Sequence, residues 1–219
     1  VGRRPTTIVY VDGFNFYYAA FKNGPHGDCR WLDLESFFDR ILPKNDVVLV
    51  RYFTARVKPV AWDPDQAKRQ AAYLAALGTL SRVTVIEGTF KIRKEAKRLV
   101  RPSGQKKRAL VWDQEEKGSD VNLATYLVRD GFKGMYDVAV VVSDDSDLLE
   151  AVRIVRSELS KPVGIIKVRK RRSVFRNDGD FFITPRRDDF KTCQFPAAVS
   201  GADGKQVASC PLDWQRSGP

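Results

Sequence analysis

Residues 138–147 read Val-Ala-Val-Val-Val-Ser-Asp-Asp-Ser-Asp, five apolar residues running straight into a cluster of carboxylates. An apolar run of that length without polar alternation fits a strand buried on both faces, the habit of parallel sheets covered by helices. The pattern recurs near the N-terminus, where Thr7-Ile8-Val9-Tyr10-Val11 is followed by Asp12-Gly13-Phe14-Asn15. Outward from these two anchors, further strands are expected at 47–55, 83–87 and 163–168. Helices are expected at 15–21, 34–42 behind Asp33, 64–80 with Pro64 in its first turn, 121–128 and 148–158. Strands and helices that alternate in this way predict an α/β fold, a parallel sheet with helices on both faces.

The chain of 219 residues is 43% hydrophobic and 11% aromatic, enough for one substantial core. A formal charge of +11 makes its surface attractive to polyanions, and nucleic acid is the leading partner class, against the simpler reading that the excess charge maintains solubility. Cys29, Cys193 and Cys210 have neither metal-site spacing nor an even count, so a reducing compartment, the cytoplasm, is expected. The apolar run ending at Asp12 is too short for a signal-peptide core or a membrane span. His26 is the only histidine, which leaves acid chemistry to carboxylates. Neither a monomer nor a homo-oligomer is specified.

The main domain is expected over 1–183, with a basic arm or β-ribbon at about 89–113. An extension over 184–219 is expected to pack on the domain through Phe190, Phe195, Pro196 and Trp214, with disorder of its last stretch the competing reading.

In open parallel sheets the functional crevice lies beyond the carboxyl ends of the strands. Asp12 directly follows one buried strand, and Asp144, Asp145 and Asp147 follow the other. Asp120 opens a helix in Glu116-Lys117-Gly118-Ser119-Asp120. Each has an ordinary alternative: a turn at Asp12-Gly13, helix caps for the rest. Gathered together, carboxylates repel one another unless a hard dication such as Mg²⁺ or Mn²⁺ binds between them.

Three ordered segments then resemble the NYN domain family, in the LabA-like branch of the PIN-like nucleases. Asp12-Gly13-Phe14-Asn15 is similar to the family's opening motif, Glu116-Lys117-Gly118-Ser119-Asp120-Val121 to its second, and Ser143-Asp144-Asp145-Ser146-Asp147-Leu148 to its third. The resemblance implies a PIN-like three-layer α/β/α sandwich with a mainly parallel central sheet, and metal-dependent cleavage of phosphodiesters, usually in RNA rather than DNA. It makes Asp12, Asp120, Asp145 and Asp147 the ligands of Mg²⁺ or Mn²⁺, with Asn15 orienting a ligand or the scissile phosphate. Two departures stand out. Asp144 replaces a usual glycine and is expected to face solvent, because neighbours in extended chain point opposite ways. Tyr126 replaces an aspartate of many relatives, which leaves open a non-catalytic RNA-binding module of the same fold. Asp180 resembles a frequent family aspartate of structural role.

For the polynucleotide, the candidate contacts are Lys91, Arg93, Lys94, Lys97 and Arg98 in the basic arm, Lys117, and the run Arg169, Lys170, Arg171, Arg172. Tyr17, Tyr18 and Trp112 either stack bases or pack locally. Without a GxGxxG or Walker-type loop, nucleotide-cofactor chemistry is the weaker rival.

Overall fold

The computed structural model describes residues 2–103, 106–168 and 174–215. Strand β1 (Thr6–Asp12) runs into helix α1 (Gly13–Phe16), whose pitch widens to π-helical over Tyr17–Lys22. Then come α2 (Leu34–Ile41), β2 (Asp46–Thr54), α3 (Gln66–Leu77) and β3 (Val83–Glu87). A long ribbon follows, β4 (Thr89–Ser103) and β5 (Lys106–Lys117), leading to α4 (Ser119–Phe132) and β6 (Val138–Val142). After a 3₁₀ turn, α5 (Leu149–Arg153) widens to π-helix over Ile154–Glu158, and β7 (Val163–Ile166) and β8 (Phe181–Ile183) complete the sheet. The C-terminal part adds α6 (Arg187–Thr192) and the hairpin β9 (Ala198–Ser200) and β10 (Gln206–Ser209).

The main sheet has the order β3-β2-β1-β6-β7-β8 and every neighbouring pair is parallel. From β1 the chain builds outward to β3, then returns to the other side of β1 to build β6 to β8. Because such crossovers are right-handed, reversing direction places the helices of the two halves on opposite faces. Side-chain alternation in the central strands shows the layers. Val9 and Val11 with Val140 and Val142 pack against Phe37, Leu77 and Phe190. Ile8 and Tyr10 with Ala139 and Val141 pack against Leu123, Leu127 and Val152 on the other face. The architecture is the α/β sandwich expected from the two buried runs, with helices on both sides of a parallel sheet.

Two local expectations, those for Pro64 and Asp144, are corrected. Pro64 lies outside α3, which starts at Gln66 after Asp65, because Val60 and Asp63 bridge in a turn that holds Pro64 back. The arm takes the ribbon form, with β4 and β5 paired antiparallel from Thr89 and Lys117 outward. Asp144 does not simply face solvent; a carboxylate oxygen accepts the Val174 amide at 3.1 Å. The segment after β8 returns to the core: Phe190 is fully buried, 4.9 Å from the ring of Phe37, and Trp31 donates its indole N–H to the Pro196 carbonyl at 2.8 Å.

Candidate metal centre

The reversal of strand order falls between β1 and β6, where loops leave the sheet toward opposite faces and open a crevice. Their parallel register pairs Val11 with Val142, so Asp12 and Ser143 emerge side by side. Asp12 is buried and caps α1: one carboxylate oxygen accepts the Asn15 amide at 2.9 Å, the other the Ser143 hydroxyl at 2.8 Å. Ser143 in turn accepts the Asp145 amide at 3.1 Å, and so ties the two strand ends together. Asp145 caps the next turn by accepting the Asp147 amide at 3.0 Å. The third arm comes from the ribbon. Gly118 turns the chain at φ 94°, a left-handed conformation that glycine adopts without strain, and Asp120 then stands in the first turn of α4.

Asp12, Asp120 and Asp145 each bring a carboxylate oxygen to within 4.8 Å of the others. Capping and clustering therefore coexist: the hydrogen bonds that close the helix ends also hold the carboxylates in place. The electrostatics reflect the crowding. Burial raises the Asp12 carboxyl above its ordinary range, against the opposing bonds from Asn15 and Ser143, and Asp145 and Glu116 add to the rise. Asp120 is pushed up to about 6, first by burial and then by Asp12, Asp145, Glu116 and Asp147. Oxygen-only donors from three segments, destabilised by mutual repulsion, could hold a divalent metal ion.

The other site residues take unequal places. Asn15 lines the acidic hollow with Phe14 and Tyr18. Asp147 is exposed at the rim, outside the tight trio. Glu116 also lines the hollow, and accepts the Ser119 amide at 3.0 Å. Its role was missed in the sequence although it heads the second motif, because a capping glutamate and a site glutamate look alike before folding.

Lys117 pairs with Glu115 at 3.1 Å, on the ribbon face opposite Glu116. Lys91, Arg93, Lys94, Lys97 and Arg98 all lie exposed on β4. Arg169, Lys170, Arg171 and Arg172 fall outside the described residues. His26 is stacked on Phe190 at 4.1 Å in the core, far from acid–base use. Tyr126 lies under two guanidinium groups, Arg129 at 4.1 Å and Arg51 at 4.8 Å.

Beyond Phe14 and Tyr18, a second hollow is walled by Tyr17, Tyr52, Tyr73 and Trp214.

The sequence model of the NYN domain family matches residues 6–185, a span that includes all three acidic segments. The chain belongs to the NYN domain family. NYN domains are generally nucleases, which places the chain among nuclease-like, nucleic-acid-binding proteins. Over 185 residues it is 32% identical to 6-hydroxy-3-succinoylpyridine 3-monooxygenase HspA of Pseudomonas putida, a match covering 73% of this chain and 58% of that protein. The chain thus spans little more than half of that relative's length. Among solved structures, a Vibrio parahaemolyticus protein of unknown function matches with a TM-score of 0.52 at 16% identity, over 87% of this chain and 98% of the other. That likeness concerns the fold alone. No helix among the described residues is long and apolar enough to cross a membrane.

Proposed function

We propose that this NYN domain is a cytoplasmic, metal-dependent endoribonuclease that hydrolyses phosphodiester bonds with Mg²⁺ or Mn²⁺. The observation that carries this reading is the convergence of Asp12, Asp120 and Asp145, from three distant segments, at the switch point of the sheet. Asp12, Asp120 and Asp145 would hold the ion, with Asp147 and Glu116 at the rim. Once bound, the dication supplies Lewis acidity, which lowers the pKa of water and neutralises charge on the phosphate. The protein's own part is positional. Ser143 and the Asn15 amide keep Asp12 in one rotamer, and the Asn15 side chain borders the space where a phosphate would lie.

The test is cleavage of labelled single-stranded RNA with Mn²⁺, with and without chelator, by the wild type and by Asp145→Asn. The expected result is metal-dependent cleavage that falls by about a hundredfold or more in the variant. Cleavage indifferent to chelator and to the substitution would falsify the reading. RNA bound tightly but never cut points instead to a binding module, in line with the missing carboxylate at Tyr126.

A second reading is oxygenation of a small heteroaromatic compound. It is favoured by the name of the Pseudomonas relative together with the aromatic hollow beside the acidic centre. Oxygen uptake driven by 6-hydroxy-3-succinoylpyridine and a reductant, unaltered by RNA, would support it over the first.

A further inference from the structure

Side chains alternate along a strand, and residues directly opposite each other on paired strands point the same way. The ribbon register therefore sorts its charges. One face pairs Lys91 with Glu115 and Arg93 with Asp113, and also carries Glu95 and Lys97. The other pairs Phe90 with Glu116, Lys94 with Trp112 and Arg98 with Arg108.

The two faces differ in how their cations are engaged. On the first, Arg93 approaches Asp113 at 3.4 Å and Glu115 at 3.7 Å, while Lys97 pairs with Asp113 and lies 3.8 Å from Glu95. On that face Arg93, Lys97 and Lys117 are held in ion pairs by neighbouring carboxylates. On the second, Lys94, Arg98 and Arg108 face one carboxylate, Glu116, which stands at the ribbon's base in the acidic hollow. The same face displays Trp112, 53% exposed, with the Lys94 ammonium 5.0 Å from its ring centroid.

This second face is continuous with the metal centre. Phe90 stacks on Phe14 at 6.1 Å, and Phe14 lines the acidic hollow. One step outward, Ile92 and Trp112 border a hollow shared with Trp62, itself 62% exposed.

We propose that this face of the ribbon is the track that leads a single-stranded polynucleotide to the acidic centre. Bases stack on Trp112 and Trp62, and phosphates meet Lys94, Arg98 and Arg108. Exposed indole faces can stack only on bases free of a duplex, which selects single strands. From Phe90 to Arg98 the strand runs about 26 Å, room for roughly four nucleotides, a small single-strand site. Arg93 and Lys97, although equally basic in sequence, are ion-paired on the opposite face.

The inference rests on the nuclease reading for its substrate class, and binding rather than cleavage tests it. Two triple variants remove the same charge from opposite faces: Lys94→Ala/Arg98→Ala/Arg108→Ala and Lys91→Ala/Arg93→Ala/Lys97→Ala. Binding of fluorescein-labelled single-stranded RNA is measured in EDTA across a salt series, with thermal melts to establish folding. The first variant should weaken binding by about tenfold or more and flatten the slope of log affinity against log salt by about 2. The second should weaken binding distinctly less than the first, since Arg93 and Lys97 are already paired. Trp112→Ala should weaken binding to single-stranded RNA and spare a duplex of the same length.

Equal losses from the two triple variants, or binding insensitive to both, overturn the track and leave the nuclease reading intact. A wild type that binds through this face yet never cuts with Mn²⁺ overturns the nuclease reading and leaves the track. A wild type that neither binds nor cuts RNA overturns both.

Discussion

Asp120 shows how a single carboxyl registers its surroundings. Its pKa, raised from the ordinary 3.8 to about 6, means that the folded chain holds a proton there that the unfolded chain has released. The stability linked to this group is present below about pH 4 and is lost as pH rises through 6. At pH 7 the metal-free chain therefore carries the charge of Asp120 within the cluster. Asp120→Asn is expected to raise the Tm of metal-free protein at pH 7 and to abolish the further rise that Mn²⁺ gives the wild type. For the wild type, Mn²⁺ affinity should weaken as pH falls through 6, because protons then compete for the same oxygens. Differential scanning calorimetry checks both; a lower metal-free Tm for Asp120→Asn at pH 7 would show that repulsion does not set the stability of this site. The carboxylates themselves were legible in sequence because Asp12 and Asp145 follow unmistakable apolar runs. Glu116 was not, and neither was the linking role of Ser143, since both depend on which strand ends meet.

At the scale of elements, α4 carries one arm of the centre and must be held firmly on the sheet. A buried network does this. Asp130 is fully buried and accepts hydrogen bonds from Tyr10 at 2.9 Å, from Arg51 at 2.6 Å and from Arg129 at 2.7 and 3.0 Å. It joins α4 to both β1 and β2. Tyr126 covers the network between the Arg51 and Arg129 guanidiniums, which gives the tyrosine a packing role in place of a ligand's. Asp130→Ala would strand Arg51, whose side chain is 8% exposed, as an uncompensated buried charge. The expected cost is about 3 kcal/mol or more, a fall in Tm of about 10 °C. An unchanged melt would mean that hydrophobic packing alone fixes α4. Nothing in the local sequence announced this network, because Arg51 lies in a strand 79 residues before its partner and reads as an ordinary solvated cation. The helices were easier to foresee than their ends. Asp33 caps α2 as expected, accepting the Ser36 amide at 3.1 Å, whereas Pro64 misled because tertiary turns outweigh a local preference.

For the whole molecule, the apolar layer beneath α1 and α2 is completed from the C-terminal side. Phe190 meets Phe16, Phe21 and Phe37, and Phe195 packs on Trp31. The parallel architecture was readable from alternating runs, but this closure was only partly so, since the few aromatics after residue 184 carry no periodic pattern. A chain ending at residue 185 leaves those aromatic faces open to water, each worth about 3 kcal/mol or more on the scale of core phenylalanine deletions. It is expected to bind hydrophobic dyes and to lose cooperative melting. A sharp unfolding transition close to that of the intact chain would show that the sheet and its helices are self-sufficient.

The strand order carries one last consequence, for the time course of folding. Asp12 and Ser143 touch across 131 residues, and no hairpin within the main sheet can form early as a local template. The ribbon can, since β4 and β5 are antiparallel neighbours in the chain. Pairings between remote segments form slowly. On the ribosome, the ribbon can therefore take shape while the acidic centre still lacks its third carboxylate. On the proposed reading, a growing chain that already recognises RNA would remain unable to cut it until β6 and the turn behind it have emerged and closed on β1.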